Sequence, residues 1–165
     1  MNALESLRPS TPRYQDCETY AMVPAISPER LDQVRRFEDA AIQAQQLPIA
    51  TEHVFHAGMY ARTVRLKPGT LITGALIQRA TLLIVNGRAD MLLNDGFAEL
   101  DGYNVLPASA GRKQVFAARG DVAMTMLFPT TAKTVEEAEA EFTNEADLLL
   151  SRRQDNGDTI TITGE

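Results

Sequence analysis

The chain has little with which to build covalent or metal chemistry. Of its 165 residues one is cysteine, Cys17, and two are histidine, His53 and His56. A single thiol excludes an internal disulfide framework and suits a reducing compartment; in its polar, proline-containing stretch it reads as a free thiol without a role. Basic residues are in the minority. The 16 Lys and Arg against 22 Asp and Glu leave a net charge of −6, so no nucleic-acid-binding surface is expected. The short patches Arg35-Arg36, Arg112-Lys113 and Arg152-Arg153 do not reverse that balance. No apolar run approaches the ~18–20 residues of a membrane span, and Met1 to Arg8 lacks the basic-then-apolar order of a signal peptide. A cytoplasmic, membrane-free product is expected. What is present, 44% hydrophobic and 23% charged residues, is ordinary for a globular protein, and the length suits one domain with terminal extensions.

Residues 1–26, with Pro9, Pro12 and Pro24 and no sustained period, read as an extended arm. Ser27-Pro28-Glu29 then supplies an N-cap, a proline at the first helical position and an acid in the first turn. Leu31, Val34, Phe37, Ala41 and Ile42 follow at helical spacing, which predicts an amphipathic helix over 27–46, ended by Pro48. Such a helix packs on the body of the protein or on a neighbouring subunit. From residue 53 the period shortens. Tyr60 to Leu66 alternates, with Arg62 and Arg65 breaking the strictness; Pro68-Gly69, Asn86-Gly87, Asn94-Asp95-Gly96, Asp101-Gly102 and Arg119-Gly120-Asp121 are turn signals between β-rich runs. Gly74 marks a bulge or a close approach. About eight short strands over 50–130, with no helix among them, exclude a parallel βαβ sheet and leave a barrel or jelly roll. Thr134-Val-Glu-Glu137 is a capping box that opens an acidic helix over 134–150, with Val135, Ala138, Phe142 and Leu149 inward. Its acids form a solvated face or a docking face for a basic partner. In the tail, 151–165, Thr159 to Thr163 alternates cleanly but has no evident partner in the barrel. An added edge strand on a neighbouring subunit would satisfy it, or it stays disordered.

The stretch His53-Val-Phe-His-Ala-Gly58-Met-Tyr60-Ala-Arg62, then Lys67-Pro-Gly69-Thr, Thr73-Gly74 and Ile84-Val-Asn-Gly87, resembles small cupin-superfamily proteins, above all those encoded by tailed phages and prophages. The resemblance covers roughly residues 50–150. It implies a mostly β fold, a single cupin-like barrel or jelly roll with flanking N- and C-terminal helices. In metal-binding cupins the strand after the Pro-Gly turn carries two histidines and a glutamate, and a second motif adds another histidine. Here the first site reads Ala75-Leu-Ile77-Gln-Arg-Ala80-Thr81 and the second Pro107-Ala-Ser-Ala-Gly111-Arg-Lys-Gln114. No histidine follows residue 56, so neither a metal nor another cofactor is expected.

With those ligands gone, Ile77, Leu83, Val85, Leu92, Val105, Val115, Met124 and Met126 are candidates to fill the barrel. Alternatively the mouth keeps Arg62, Gln78, Arg79, Thr81, Arg112 and Lys113 as groups that hold a small anionic molecule. His53 and His56, three apart in an extended segment, point to opposite sides. One is expected to be hydrogen-bonded and the other near the surface, unless one serves a ligand or an interface. A metal-independent epimerase, which the resemblance also allows, would have to pair His53 or His56 with Tyr60 or Tyr103. No catalytic residue is assigned. The leading expectation is a non-catalytic, metal-free protein that self-associates. Leu31, Val34, Phe37, Ile160 and Ile162 are its candidate interface residues, and a virion or the host cytoplasm its place. Its partners would be further copies of itself and other virion proteins; the small-molecule-binding barrel is the alternative.

Overall fold

The protein is described here by a computed structural model that covers residues 22–149, 152 and 157–163. Cys17 and most of the N-terminal arm lie outside the described residues.

Helix α1, Pro28–Ala41, starts as the sequence indicates: Ser27 accepts from the Arg30 amide, and Pro28 opens the first turn. It stops at Ala41 rather than continuing to 46. The Gln46 side-chain amide folds back to donate to the carbonyls of Ala41 and Ala44, satisfying acceptors that another helical turn would have used. Of the expected stripe only Val34 is buried, Leu31 is half-buried, and Phe37 and Ile42 are exposed. The helix is tied at both ends. Ser27 and Arg30 bond Asn94, while Glu38 and Arg35 pair with Lys113 and Glu145.

Eight strands follow among the described residues: β1 Thr51–His56, β2 Met59–Leu66, β3 Leu71–Thr73, β4 Thr81–Leu93, β5 Gly96–Leu100, β6 Tyr103–Ala108, β7 Val115–Pro129 and β8 Thr159–Ile162. Helix α2, Val135–Phe142, and a 3₁₀ turn, Ala146–Leu148, lie between β7 and β8. The acidic helix thus ends eight residues short of the expected 150. Thr143 leaves helical geometry, and its hydroxyl accepts from the Glu145 amide.

The strands β4 and β7 are long, and both halves of the molecule share them. The first part of β4 and the second part of β7 belong to a six-stranded half, in the order β6-β4-β7-β2-β1-β8; their other parts pair with β5 and β3. The inner faces of the two halves meet in one core, where Leu66, Leu83, Val85, Val122 and Met124 pack with Met91, Leu100, Phe116 and Ala118. The mostly β, cupin-like architecture with flanking helices is therefore the fold of this chain.

Three local expectations change. Asn86-Gly87 does not turn a hairpin, because β4 runs through it, and Arg119-Gly120-Asp121 likewise lies within β7. The register slips between Gly87 and Ala89, so both strands bend there from one half into the other; a bulge, not a reversal, is what the glycine permits. Leu92 and Val105 do not enter the core. Inward Met91 puts Leu92 on the other face, and Val105 pairs with outward Ile84 rather than with Leu83 or Val85. Finally β8 pairs in parallel with β1 of its own chain, Glu52 opposite Thr159 and Phe55 opposite Ile162. The hairpin from β1 to β2 turns on Ala57 and Gly58, both at positive φ (48° and 70°), the backbone of a two-residue primed turn.

The corner at Gly87 admits no side chain. Its φ is +126°, and a Cβ there would lie 2.2 Å from the Asp121 carbonyl oxygen. Gly87→Ala is expected to cost about 3 kcal/mol of folding stability, read from the denaturation midpoint. A loss under about 1 kcal/mol would mean that the corner relaxes freely.

Candidate functional site

The alternation of β1 and β2 places Thr51, His53 and Phe55 beside Tyr60, Arg62 and Val64 on the inner face, with His53 directly opposite Arg62. Arg62 is therefore an inward cation in the wall of the barrel. Toward the open end the neighbours are aromatic. Tyr60 lies 4.9 Å from Phe55 and 5.3 Å from Phe128, ring centre to ring centre, and Phe128 meets Phe142 of α2 at 6.0 Å.

Helix α2 closes this end. Its capping box holds as expected, with Thr134 and Glu137 each accepting from the other's backbone amide. The inward face carries Ala138 and Phe142, and with them Glu139, which is fully buried. Glu139 Oε2 accepts from Arg152 Nε at 2.6 Å, and its Oε1 lies 4.0 Å from Arg62 Nε. On the other side Asp158, just before β8, accepts from the Thr51 amide at 2.8 Å and places Oδ2 3.9 Å from His53 Nε2. Between the two carboxylates His53 Nδ1 and the Tyr60 hydroxyl share a hydrogen bond of 2.7 Å. The arrangement is an alternating series of Arg152, Glu139, Arg62, the His53–Tyr60 pair and Asp158. It joins α2 and the C-terminal segment to the barrel wall.

Burial depresses the imidazole of His53, helped by the Arg62 charge and opposed by Asp158 and Glu139. Burial likewise pushes the Tyr60 phenol up. At neutral pH a neutral imidazole thus faces a protonated phenol. Acid–base catalysis requires the group to reach a substrate proton, and these two, 2% and 0% exposed, are turned to each other. In this arrangement the pair orients and holds the barrel wall. His56 is exposed on the opposite side, 2.5 Å from the Thr163 hydroxyl, as the strand alternation predicts.

A cupin-type metal does not fit these residues. The one inward imidazole bonds through Nδ1 to Tyr60 and sits beside the Arg62 cation, which repels a second positive charge. Among the described residues no three His, Cys, Asp or Glu side chains converge as a ligand set. Ile77, from the stretch where the resemblance places metal ligands, packs against the cluster that contains Phe55, Phe128 and Phe142.

The other residues read as anion-binding candidates are dispersed. Arg79 pairs with Glu141 at 2.7 Å, donates to the Pro129 carbonyl and lies over the Phe128 ring at 4.3 Å. Gln78 is exposed, its backbone N–H donating to the Phe142 carbonyl. Arg112 is 2% exposed, donates to Thr81 Oγ1 at 2.5 Å and to the carbonyls of Ser109 and Arg79 at 2.7 and 3.2 Å, and is lowered to about 10 by burial. Lys113 meets Glu38 at 3.0 Å, the Gly74 carbonyl at 2.9 Å and Glu145 at 3.5 Å. Burial works to raise the Glu145 carboxyl, yet the Leu76 amide and Lys113 hold it below the usual range. Arg112 and Lys113 thus pin loops. A hollow beside them, between Val23, Leu92 and Gln114, has a volume of about 10 Å³, roughly one water.

Comparison with known proteins gives fold likeness alone. Neither a protein-family model nor a curated protein matches the chain. Solved structures do. A cupin-2 domain protein from Rhodospirillum rubrum is 15% identical, over 68% of this chain and 78% of that one, with a TM-score of 0.44. A cupin superfamily protein from Desulfitobacterium hafniense is 17% identical over 67% and 99%, TM-score 0.42. A cupin-2 domain protein from Shewanella frigidimarina is 12% identical over 56% and 91%, TM-score 0.41. Likeness at this level says nothing of chemistry. Among the described residues no helix is long and apolar enough to cross a membrane.

Two outcomes follow from the buried series. Unfolded, His53 takes up a proton below about 6.5, whereas folded it does so only at lower pH. Its contribution is therefore intact above 6.5 and is lost as pH falls from there toward the folded value. Denaturation at pH 7.5 and 5.5 is expected to show a slope of at most about 1.4 kcal/mol per pH unit in this window, absent in His53→Gln. Removing Glu139 leaves Arg62 and Arg152 without their shared carboxylate. Glu139→Ala is expected to lower stability by about 3 kcal/mol, and a change within 0.5 kcal/mol would show that water replaces the carboxylate.

Proposed function

We propose that the protein is a non-catalytic, metal-free, cupin-like subunit of a homo-oligomeric assembly, a phage virion accessory of the decoration, head–tail or tail kind. The observation that carries this reading is the content of the barrel. The inner faces of both halves are joined by apolar packing, and the inward polar residues at the open end bond one another. A scaffold whose interior is occupied by its own side chains leaves the outer surface as the part that can meet another molecule. Large apolar side chains are exposed beyond the packed interior: Phe37 is 43% exposed, and Ile160 and Ile162, past the barrel wall on the edge strand, are 59% and 63% exposed. Ile160 and Ile162 lie on the same side of the sheet as His53 and Phe55, along the outermost strand of the six-stranded half, where a second chain would meet them first. Val34, by contrast, is taken up inside its own chain. The virion setting rests on the resemblance of the His53 to Arg62 stretch to phage-encoded proteins.

The reading is tested on the purified full chain by sedimentation velocity and by elemental analysis without chelators. Self-association at micromolar concentration, with zinc, iron, manganese and nickel each far below one per chain, is expected. A strictly monomeric chain, or one carrying a full equivalent of metal, would sink it.

A further inference from the structure

A sheet with one face on a core and the other in water alternates apolar with polar side chains. The six-stranded half departs from this over part of its outer face. On its outer face Pro107, Leu82, Leu127, Ala61 and Val54 lie side by side in one row across five strands. The adjacent row runs Val105, Ile84, Thr125 and Thr63. Leu82 is 45% and Val54 37% exposed. The two threonine hydroxyls bond each other at 2.8 Å, so they make little demand on water. The charges on this face, Glu52 and Arg65, stand toward the β1 side and form an ion pair at 2.7 Å. Among the described residues no helix crosses the face. Helix α1 is bonded to Asn94, Lys113 and Glu145, and α2 packs on the inner side beside Phe128.

The size and character of the face select its occupant. Six strands at ~4.8 Å and six residues at ~3.4 Å span roughly 590 Å² in projection, polar positions included, the order of the ~800 Å² per partner in a stable interface. The face carries no excess of either charge that would favour a charged partner, and a twofold axis lays such rows onto their own copies. We propose that the outer face of the six-stranded half is a homotypic interface, covered by a second copy of this chain stacked face to face. This rests on the assembly reading above and names the surface that performs it.

The test uses the full chain. Leu82→Asp and Leu127→Asp each place a charge on the rows, and each is expected to weaken self-association in sedimentation by about tenfold or more without lowering the melting temperature below the assay range. Carbene footprinting of the unsubstituted chain adds a readout that needs no variant. Labelling at Leu82 and Leu127 is expected to fall as concentration rises, while labelling at Phe97 on β5 stays constant. Association that survives both substitutions, with the footprint at Leu82 and Leu127 unchanged, overturns the proposal and leaves the assembly reading standing. A chain that stays monomeric throughout removes both. Protection of Leu82 and Leu127 already complete in the monomer also overturns it, because the chain would then cover its own face.

Discussion

Two strands carry both halves of this protein, and they bend together at a backbone contact. At Gly87 strand β4 comes so close to Asp121 of β7 that a single carbon would collide with the carbonyl oxygen. Before the corner the pair forms the middle of the six-stranded half; beyond it the same pair supports β5 and β3. The core depends on this bend, since Leu83 and Val85 precede it, Ala89 and Met91 follow it, and all four belong to one cluster. Were the strands straight, the two inner faces would not look at each other, and the apolar surface on each would remain in water.

The bend also determines what the open end must do. It closes one end of the barrel with aliphatic packing, and the other end, around His53, Arg62 and Tyr60, needs a cover. That cover is α2 with the C-terminal segment, and it brings Glu139, Arg152 and Asp158 to polar groups that would otherwise be buried without partners. A buried carboxylate is tolerated only when paired, so Glu139 ties the cover's placement to two arginines. The polarity at this end is the means by which a helix and an edge strand from the end of the chain are held to the barrel. A ligand would have to compete with all of these bonds.

Much of this architecture was legible in the residues, and the failures have a common cause. Period-two alternation marks β2, β-rich runs between turn signals mark the two parts of β4 and of β7 as separate strands, the caps mark both helix starts, and the spacing of His53 and His56 gives their opposite faces. Local signals misled where tertiary structure reused them. Asn-Gly at 86–87 is a turn signal in isolation, but within a sheet it permits a bulge. The alternating strand at 159–162 offers no partner in the sequence because its partner β1, two residues before β2, carries Thr51, His53 and Phe55 inward and so lacks an apolar alternation. The charge of Glu139 points to a solvated face or a docking face, although 135, 138, 139 and 142 are the spacing of one helical side. Its position carried the signal that its chemistry obscured. Arg112 and Lys113 show the converse, since a cation's internal acceptors are backbone carbonyls that no side-chain pattern records.

The same bend that fills the interior leaves the outer side of the six-stranded half unlike an ordinary solvent face. Apolar residues there are not scattered singly, as they are on most surfaces; Leu82, Leu127 and Val54 fall in register because the strands that carry them do. Register is set by the inner face, where Leu83, Met126, Arg62 and His53 must align for the core and the polar series to form together. The outer residues inherit that alignment. The outer side of this sheet therefore carries an apolar patch beside polar positions such as Glu52, Thr63 and Arg65, and among the described residues no helix lies over it. The other half of the barrel covers the inner side. The proposed second copy would supply a layer on the outside without requiring any surface beyond those described.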